Sequence, residues 1–387
     1  MLGFLLARAG IDVVVLEKHN DFLRDFRGDT IHPSTLELLD QLGLIDEFLK
    51  LPHSKVSSVQ MQTTSGQSVR VSLARLPSKF PFIAFMPQWD FLEFMTRHAA
   101  QFPSFTLLRN AEVVGLIERD GRVAGLRYRD DEGEHELEAV LTVGADGRTA
   151  RTREAAGLPR IETSPPIDVF WFRLPRRPDE VAAVFGRLGP GLLLVMLDRN
   201  DYWQVAFVIP KGKGDEIRAR GLDVFRRDIV RVAPELEDRV SGIQSWDDVK
   251  LLTVRVDRLV RWHKPGYLAI GDAAHAMSPV GGVGINIAIH DAVVAADVLW
   301  EPLSRRHVRD EDLAEVQRRR ERAVRVTQSF QTMVQSRVLA PALLSAREPK
   351  IPWIARVVLN IPFLRDLPPR FIALGIDRPR VESPARP

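Results

Sequence analysis

The sequence of 387 residues contains no cysteine. Disulfide bonds, thiolate catalysis, zinc-thiolate sites and a cysteinyl link to a cofactor are therefore excluded, and we expect a cytoplasmic location. An excess of charge of one sign is also missing, because 54 lysines and arginines nearly balance 51 aspartates and glutamates to give a net charge of +3. Nucleic acid is therefore not an expected partner.

Long hydrophobic runs are missing as well. No stretch approaches the roughly 20 apolar residues that a membrane-spanning helix needs, so we expect no integral membrane association. Residues 1–9 are apolar but short, and Gly10 after them is typical of a helix end rather than of a cleaved signal. Residues 340–369 mix apolar side chains with arginines, and we expect packed helices there rather than a membrane-surface segment.

Hydrophobic residues make up 45% of the chain, which is enough for a large core. The β-branched run at residues 11–16 predicts a parallel strand buried on both faces, and residues 33–49 predict one amphipathic helix. The other predicted elements are alternating strand at 56–73, a helix at 91–100, a strand meander within 106–143, strands at 167–174, 191–197, 202–210 and 267–270, and helical stretches at 215–232, 287–299 and 310–334. This order predicts an α/β fold.

Two acidic residues stand at the ends of predicted strands. Glu17 closes the strand at 11–16, where a dinucleotide-binding fold places an acid for an adenosine ribose. A solvated strand end is the alternative. Asp146 lies between glycines at positions 144 and 147, which would let a ligand approach the backbone closely. An ordinary Asp-Gly turn is the alternative at this position.

The strongest motif occupies residues 268–286, with the sequence Leu-Ala-Ile-Gly-Asp-Ala-Ala-His-Ala-Met-Ser-Pro-Val-Gly-Gly-Val-Gly-Ile-Asn. A buried strand leads to Gly271 and Asp272, and a loop with Pro279 and three glycines leads into a helix. Backbone N–H groups at such a helix start suit a pyrophosphate or an electron-rich ring edge, and Asp272 suits a polyol hydroxyl. For His275 a buried or helix-capping position is favoured over acid–base chemistry.

These residues resemble the Gly-Asp motif of single-component flavoprotein aromatic hydroxylases of the p-hydroxybenzoate hydroxylase type. The resemblance extends over residues 1–300 in four ordered motifs. It implies a Rossmann-like FAD-binding domain with the p-hydroxybenzoate hydroxylase fold, a strand-rich substrate domain and C-terminal helices. The residues that it implies for FAD binding are Glu17, Arg27, Gln88, Asp146, Gly271, Asp272, Gly284, Ile285 and Asn286.

The resemblance also implies roles within this set. Asp272 would bind the ribitol, Arg27 the FAD phosphates and Gln88 the flavin, while Asp146 would serve both FAD and the pyridine nucleotide. Gly284, Ile285 and Asn286 would lie near the pyrimidine edge of the ring. The residues implied as the catalytic environment beside the isoalloxazine are Pro279, Gly281 and Gly282. No side-chain acid or base and no metal is expected.

The implied reaction uses NADH or NADPH to reduce FAD, and O₂ to form a C4a-hydroperoxyflavin that hydroxylates an aromatic or polycyclic small molecule. The candidates for contact with this substrate are large apolar residues of the second strand group, namely Trp171, Met196, Trp203 and Phe207. An ordinary core position is the alternative for each of them. A flavin-dependent reductase of the geranylgeranyl-reductase kind, which shares the Gly-Asp motif, is the main alternative. A halogenase is disfavoured because the Trp-x-Trp-x-Ile-Pro pattern is absent.

The predicted domain organisation has three regions. Residues 1–160 and 261–310 would form the FAD-binding domain, with 51–90 contributing to the substrate side. Residues 161–260 would form the substrate domain and 311–387 the C-terminal helical region, in a monomer or homodimer. The sequence departs from the family at its start, because the Gly-x-Gly-x-x-Gly loop that normally precedes the first helix is not in it. A start placed at an internal methionine is the favoured explanation, and a truncated non-catalytic remnant is the alternative.

Overall fold

The computed structural model describes residues 1–23, 30–180, 184–199, 201–349, 361 and 364–386. The helices are α1 (Leu2–Arg8), α2 (Pro33–Gln41), α3 (Ile45–Phe48), α4 (Gln88–Ala99), α5 (Arg151–Ala155), α6 (Gly214–Ala219), α7 (Leu222–Val232), α8 (Gly284–Ser304), α9 (Asp310–Val334), α10 (Ala340–Leu344) and α11 (Leu367–Leu374). The strands are β1 (Val13–Leu16), β2 (Thr30–Ile31), β3 (Ser54–Val56), β4 (Ser58–Thr63), β5 (Ser68–Ser72), β6 (Ile83–Phe85), β7 (Phe105–Leu108), β8 (Glu112–Arg119), β9 (Arg122–Asp130), β10 (Gly133–Glu138), β11 (Thr142–Gly144), β12 (Arg160–Thr163), β13 (Ile167–Pro175), β14 (Val184–Gly189), β15 (Leu192–Asp198), β16 (Tyr202–Pro210), β17 (Lys250–Leu252), β18 (Val256–Leu259), β19 (His263–Lys264) and β20 (Tyr267–Ala269).

Two parallel strand pairs carry the predicted nucleotide-binding motifs. Strand β1 pairs with β7, and β11 pairs with β20. Glu17 follows β1, Asp146 follows β11, and Asp272 follows β20, each at the carboxyl end of its strand. In α/β folds this end of a parallel strand is where ligands bind. Strands β8, β9 and β10 form the predicted antiparallel meander.

A seven-stranded sheet, in the order β17-β13-β16-β15-β14-β4-β5, forms the second large layer. Its two faces are covered differently. One face packs against α7 through Phe225 and Ile229 in a closed hydrophobic core. The other face contacts Val280, which lies in the loop between β20 and α8 (residues 270–283, called the glycine loop below). It also contacts Leu339 and Leu343, near the end of the α9–α10 segment. Neighbouring residues of one strand therefore have different surroundings.

The prediction of one continuous helix at residues 33–49 is wrong, because Gly43 separates α2 from α3. Gly43 has φ of +71°, in the left-handed region that glycine adopts without steric cost. Its N–H donates to Asp40 O (3.0 Å) and the next N–H, of Leu44, donates to Leu39 O (2.8 Å). This pair of hydrogen bonds is the Schellman pattern that ends a helix.

Helix α8 and the turn before it correct the expectation that no stretch of the chain approaches the length of a membrane-spanning helix. Residues Val280–Ser304 are long and apolar enough to cross a membrane by length and composition alone, with a mean hydropathy of 1.5 in the most apolar window. Within the fold, 67% of that window is buried, and α8 packs against α1 and α9. The core helix of a compact domain passes the same composition test, so this feature is weak evidence for a membrane span.

Two buried histidines lie near one another: His32, just before α2, and His290 of α8. His32 bonds through Nδ1 to Ile372 O (3.0 Å). Within the described residues, neither ring nitrogen of His290 has a hydrogen-bond partner. A cavity of about 20 Å³ lies beside His290 and is also lined by Ser34 and Thr327, which is space for one water molecule with polar neighbours.

Burial lowers the pKa of both histidines. The pKa of His32 falls to about 4, and that of His290 falls to about 3 because burial is joined by the nearby charge of Arg320. An unfolded chain binds these protons near pH 6.5. Between pH 6.5 and about 4 the unfolded state therefore holds more protons than the folded state, and the folded state loses stability as the pH falls.

We predict that the free energy of unfolding decreases as the pH is lowered from 7.5 to 4.5, by up to about 1.4 kcal/mol per pH unit for each of the two histidines. His290→Leu should reduce this slope, because one of the two groups no longer titrates. His307→Leu, at an exposed histidine, is the control that should leave the slope unchanged. Urea unfolding at several pH values measures the slope, and equal slopes in wild type and His290→Leu would contradict the prediction.

Candidate functional site

The loop between β20 and α8 contains three glycines in the left-handed region, Gly271 (φ +59°), Gly281 (φ +82°) and Gly282 (φ +62°). A Cβ atom on Gly282 would lie 2.7 Å from Thr30 Oγ1, which is closer than real Cβ contacts allow. The Thr30 hydroxyl donates to Gly282 O (2.6 Å). Glycine is therefore required here by both conformation and space, and the loop is attached to β2.

Asn286 lies in the first turn of α8, and its side chain joins this helix to the start of α2. Its Oδ1 accepts from His32 N (2.9 Å) and Thr35 Oγ1 (2.7 Å), and its Nδ2 donates to Thr30 O (2.9 Å) and Gly282 O (3.4 Å). A primary amide offers two donors and two principal acceptor directions. The side chain is thus occupied by the protein, and its backbone N–H is the group that remains for a ligand.

The start of α8 presents hydrogen-bond donors. Over the described part of the chain, no backbone or side-chain acceptor pairs with the N–H groups of Gly284, Ile285 and Asn286. Such N–H groups, together with the positive end of the helix dipole, attract anions and electron-rich atoms. This arrangement suits the electron-rich pyrimidine edge of a flavin.

Asp272 follows β20 and pairs with Arg148. The Arg148 Nε donates to Asp272 Oδ2 (3.1 Å), and its Nη2 donates to Met277 O (3.2 Å). The Asp272 side chain is 34% exposed, so its carboxylate can be reached by a polyol hydroxyl. Gly271, just before it, donates its N–H to the buried Asp291 (2.9 Å), which attaches the end of the strand to α8.

Asp146 has a structural role that the sequence left open. Its two carboxylate oxygens accept from Thr152 N (2.9 Å) and Thr152 Oγ1 (2.8 Å) near the start of α5. The Thr152 hydroxyl also lies 2.9 Å from the Tyr267 hydroxyl of β20. Asp146 therefore stabilises the turn between β11 and α5, as capping carboxylates do, and its ligand role stays a prediction.

The remaining predicted cofactor residues are more scattered. Glu17 Oε1 accepts from His19 N (3.0 Å) just after β1. Gln88 is the first residue of α4, close in sequence to Phe85 of β6, which lies opposite Thr30 of β2. Gln88 thus lies three residues after a strand that pairs with β2, and β2 bonds to the glycine loop through Thr30. Arg27 lies outside the described residues.

The predicted substrate residues separate onto the two faces of the seven-stranded sheet. Met196, Trp203 and Phe207 are almost fully buried in the core with α7, on the face away from the glycine loop, and their contact with substrate stays a prediction. Side chains alternate along a strand, and the sequence showed which residues were large and apolar but not which face each would take. Trp171 packs on the opposite face, in the cluster that contains Val280.

Sequence reasoning did not find the buried charges behind the glycine loop. Asp291 of α8 accepts from His275 Nε2 (2.6 Å) and Arg320 Nε (2.8 Å) in addition to Gly271 N. Burial opposes its ionisation, but the adjacent charges of His275 and Arg320 lower the pKa of Asp291 to about 2. The favoured buried position of His275 is confirmed. The signal was an aspartate, next to His290, in the mostly apolar first half of α8.

The residues present fit the flavin and ribityl parts of FAD. The start of α8 offers backbone N–H donors, Asp272 offers an accessible acceptor, and Gly282 lets the loop approach Thr30 closely. Donors for a ring edge and an acceptor for a polyol are the two complements that this part of the cofactor needs.

Comparison with known proteins agrees with this geometry. The family model described as "FAD binding domain" matches residues 1–329. The 6-methylpretetramide 4-monooxygenase of Streptomyces rimosus is 32% identical over 389 residues, covering 99% of this chain and 91% of that protein.

Two solved structures share the fold. The p-nitrophenol 4-monooxygenase of Pseudomonas putida has a TM-score of 0.74 at 18% identity, covering 97% of this chain and 95% of that one. The myxobacterial chondrochloren halogenase has a TM-score of 0.75 at 18% identity, covering 100% and 91%. At these identities the likeness concerns the fold alone. The predicted fold class is confirmed, and the chain belongs to the FAD-binding-domain family of flavoprotein aromatic-ring monooxygenases of the p-hydroxybenzoate hydroxylase type.

Proposed function

We propose that this protein uses FAD, NAD(P)H and O₂ to hydroxylate an aromatic or polycyclic small molecule. The observation that carries the proposal is the contact between the glycine loop and the apolar face of the seven-stranded sheet, where Val280 packs in the same cluster as Trp171. A flavin held by the loop would therefore have a large apolar surface beside it. Such a surface suits a flat aromatic ring.

We assign the cofactor contacts to the residues described above. Asp272 would accept a ribityl hydroxyl, the N–H groups at 284–286 would face the pyrimidine edge, and Gln88 would approach the ring from the α4 side. Glu17 and Asp146 would serve the adenosine and pyridine-nucleotide parts. When bound, FAD supplies hydride acceptance and oxygen activation, which amino-acid side chains do not provide.

The protein's own contribution is orientation, electrostatics and exclusion of water. The positive end of the α8 dipole would favour negative charge at the pyrimidine edge of the ring. Trp171, Leu339 and Leu343 would shield the reacting face from water, since they pack in the apolar cluster around Val280. The residues at 279–282 would set the ring's position through backbone contacts, without a side-chain acid or base.

We propose a polycyclic aromatic as the substrate class. The support is the relative from Streptomyces rimosus, whose name gives 6-methylpretetramide as its substrate and which matches this chain over almost its whole length. That compound is therefore the probe substrate of choice in the experiments below.

We predict that the purified protein, supplied with FAD, NAD(P)H and 6-methylpretetramide, consumes O₂ in step with NAD(P)H oxidation and yields a product heavier by one oxygen atom. Oxygen electrode traces and mass spectrometry measure this. NAD(P)H oxidation without O₂ uptake would favour the reductase alternative, and a halide-dependent product would favour a halogenase. A chain without flavin absorbance after addition of FAD would be the non-catalytic remnant.

We predict that Asp272→Ala weakens FAD binding at least about tenfold, because a hydrogen bond to a charged acceptor is lost. Asp310→Ala is a matched control. The Asp310 side chain is also 34% exposed and also pairs with an arginine, Arg261, but it lies at the start of α9. Flavin fluorescence titration gives both affinities, and equal affinities in the two variants would refute the role of Asp272.

We predict that Trp171→Ala raises KM for the probe substrate roughly tenfold, since a large apolar contact is lost, while flavin content stays at the wild-type level. Phe207→Leu, on the opposite face of the sheet, should lower stability by about 1 kcal/mol through lost core packing and leave KM unchanged. Steady-state kinetics and thermal unfolding distinguish the two. A KM effect in Phe207→Leu alone would reverse the assignment of the faces.

A further inference from the structure

A row of buried glutamines lies along the last turns of α9 and the first residue after it. Gln328, Gln331 and Gln335 are spaced by three and four residues, which places them on one helix face. Each is at least 96% buried, although the helix is otherwise rich in charged residues. Buried primary amides are costly unless their donors and acceptors are paired. Their partners therefore explain why glutamine stands here.

Gln331 binds the backbone on both sides of Pro279. Its Nε2 donates to Ser278 O (3.0 Å) and Val280 O (2.8 Å), and its Oε1 accepts from Ser278 N (3.2 Å). Three hydrogen bonds from one side chain thus fix two residues of the glycine loop. Proline itself has no N–H to contribute, so the loop depends on its neighbours for attachment at this point.

The other two glutamines extend the same attachment. Gln335 Nε2 donates to Ser278 Oγ (2.6 Å), which also accepts from Val280 N (3.2 Å). Gln328 Nε2 donates to Ala276 O (3.2 Å) and to Asp257 O (2.8 Å). The three side chains therefore follow the backbone from residue 276 to residue 280, one after another.

The loop is consequently held from two sides. The three glutamines hold residues 276–280 on the α9 side, while Thr30 and Asn286 hold Gly282 on the β2 side. From Gln335 onwards the helix widens into a π turn, Gln335–Leu339, a local irregularity that occurs often at functional sites. Leu339 and Leu343 then pack beside Trp171 and Val280. One helical segment thus contacts both the loop and the apolar sheet face.

We propose that Gln328, Gln331 and Gln335, the glutamine ladder, are positioning residues that set where the loop at 279–282 meets the flavin. The proposal rests on the FAD site described under the proposed function. Rigid support of a loop that contacts a cofactor fixes distances to within a fraction of an ångström. Loss of the ladder should therefore change the environment of the flavin as well as the stability of the fold.

The test uses Gln331→Met, which keeps the side-chain length and removes all three hydrogen bonds. Gln317→Met is the matched control on the same helix. Gln317 Oε1 accepts from Trp262 N (2.9 Å) and its Nε2 donates to Val260 O (3.0 Å), so it also joins α9 to backbone, but away from the glycine loop. Gln335→Met, which removes the bond to Ser278 Oγ, is a milder second variant in case Gln331→Met fails to fold.

The first measurement is hydrogen exchange in the protein without FAD. In Gln331→Met we expect exchange at the Ser278 amide to be faster by about tenfold or more, because this buried donor loses its acceptor, Gln331 Oε1. Gln317→Met should accelerate exchange at Trp262 and leave the loop unchanged. Loop exchange at the wild-type rate in both ladder variants would overturn the proposal.

The second measurement is made with FAD bound. Gln331→Met should shift the midpoint potential of the flavin and alter the fine structure of its visible band, whereas Gln317→Met should lower only the thermal midpoint. An identical potential in wild type and Gln331→Met would overturn the positioning role. If the wild-type chain takes up no FAD, or takes it up without O₂-dependent turnover, the proposed function fails separately, and the exchange rates still decide the ladder.

Discussion

The buried carboxylate of Asp291 joins three parts of the fold at the back of the candidate site. It accepts the N–H of Gly271 at the end of β20, pairs with His275 of the following loop, and pairs with Arg320 of α9, which in turn reaches Asp377. A fully buried charge is stable only when it is neutralised and fully hydrogen-bonded. Strand, loop and both long helices must therefore be in place together, and the conformation of the glycine loop depends on this cluster.

From this cluster the loop runs between two supports. On one side α9 offers amide side chains to the backbone from residue 276 to residue 280, and on the other side Thr30 and Asn286 hold Gly282. What remains unsatisfied by the protein, within its described residues, is the set of N–H groups at the start of α8. Most polar groups around the loop therefore make hydrogen bonds within the protein. The N–H groups at the start of α8 are left for an electron-rich ring edge.

How far the sequence could predict the site differs from residue to residue. The position of Asp272 at a strand end followed from the alternation of strand, glycine loop and helix, because that pattern is local. The opposite burial of Trp171 and Phe207 did not follow, since both read as apolar strand residues and only the packing of α7 on one face separates them. Asn286 was likewise expected near the flavin, whereas contacts with β2 and with the start of α2, distant in sequence, occupy its side chain.

The sequence by itself determined the α/β class, the order of the motifs and the family, because these depend on hydrophobic periodicity and on glycine, proline and acidic residues at short spacing. It also contained the reason why α2 ends at Gly43, although the helix was predicted to continue. Only the tertiary structure decided which face of the seven-stranded sheet meets the glycine loop and what the buried glutamines of α9 hold. Both depend on partners more than 50 residues away along the chain, and such pairings leave no local pattern to read.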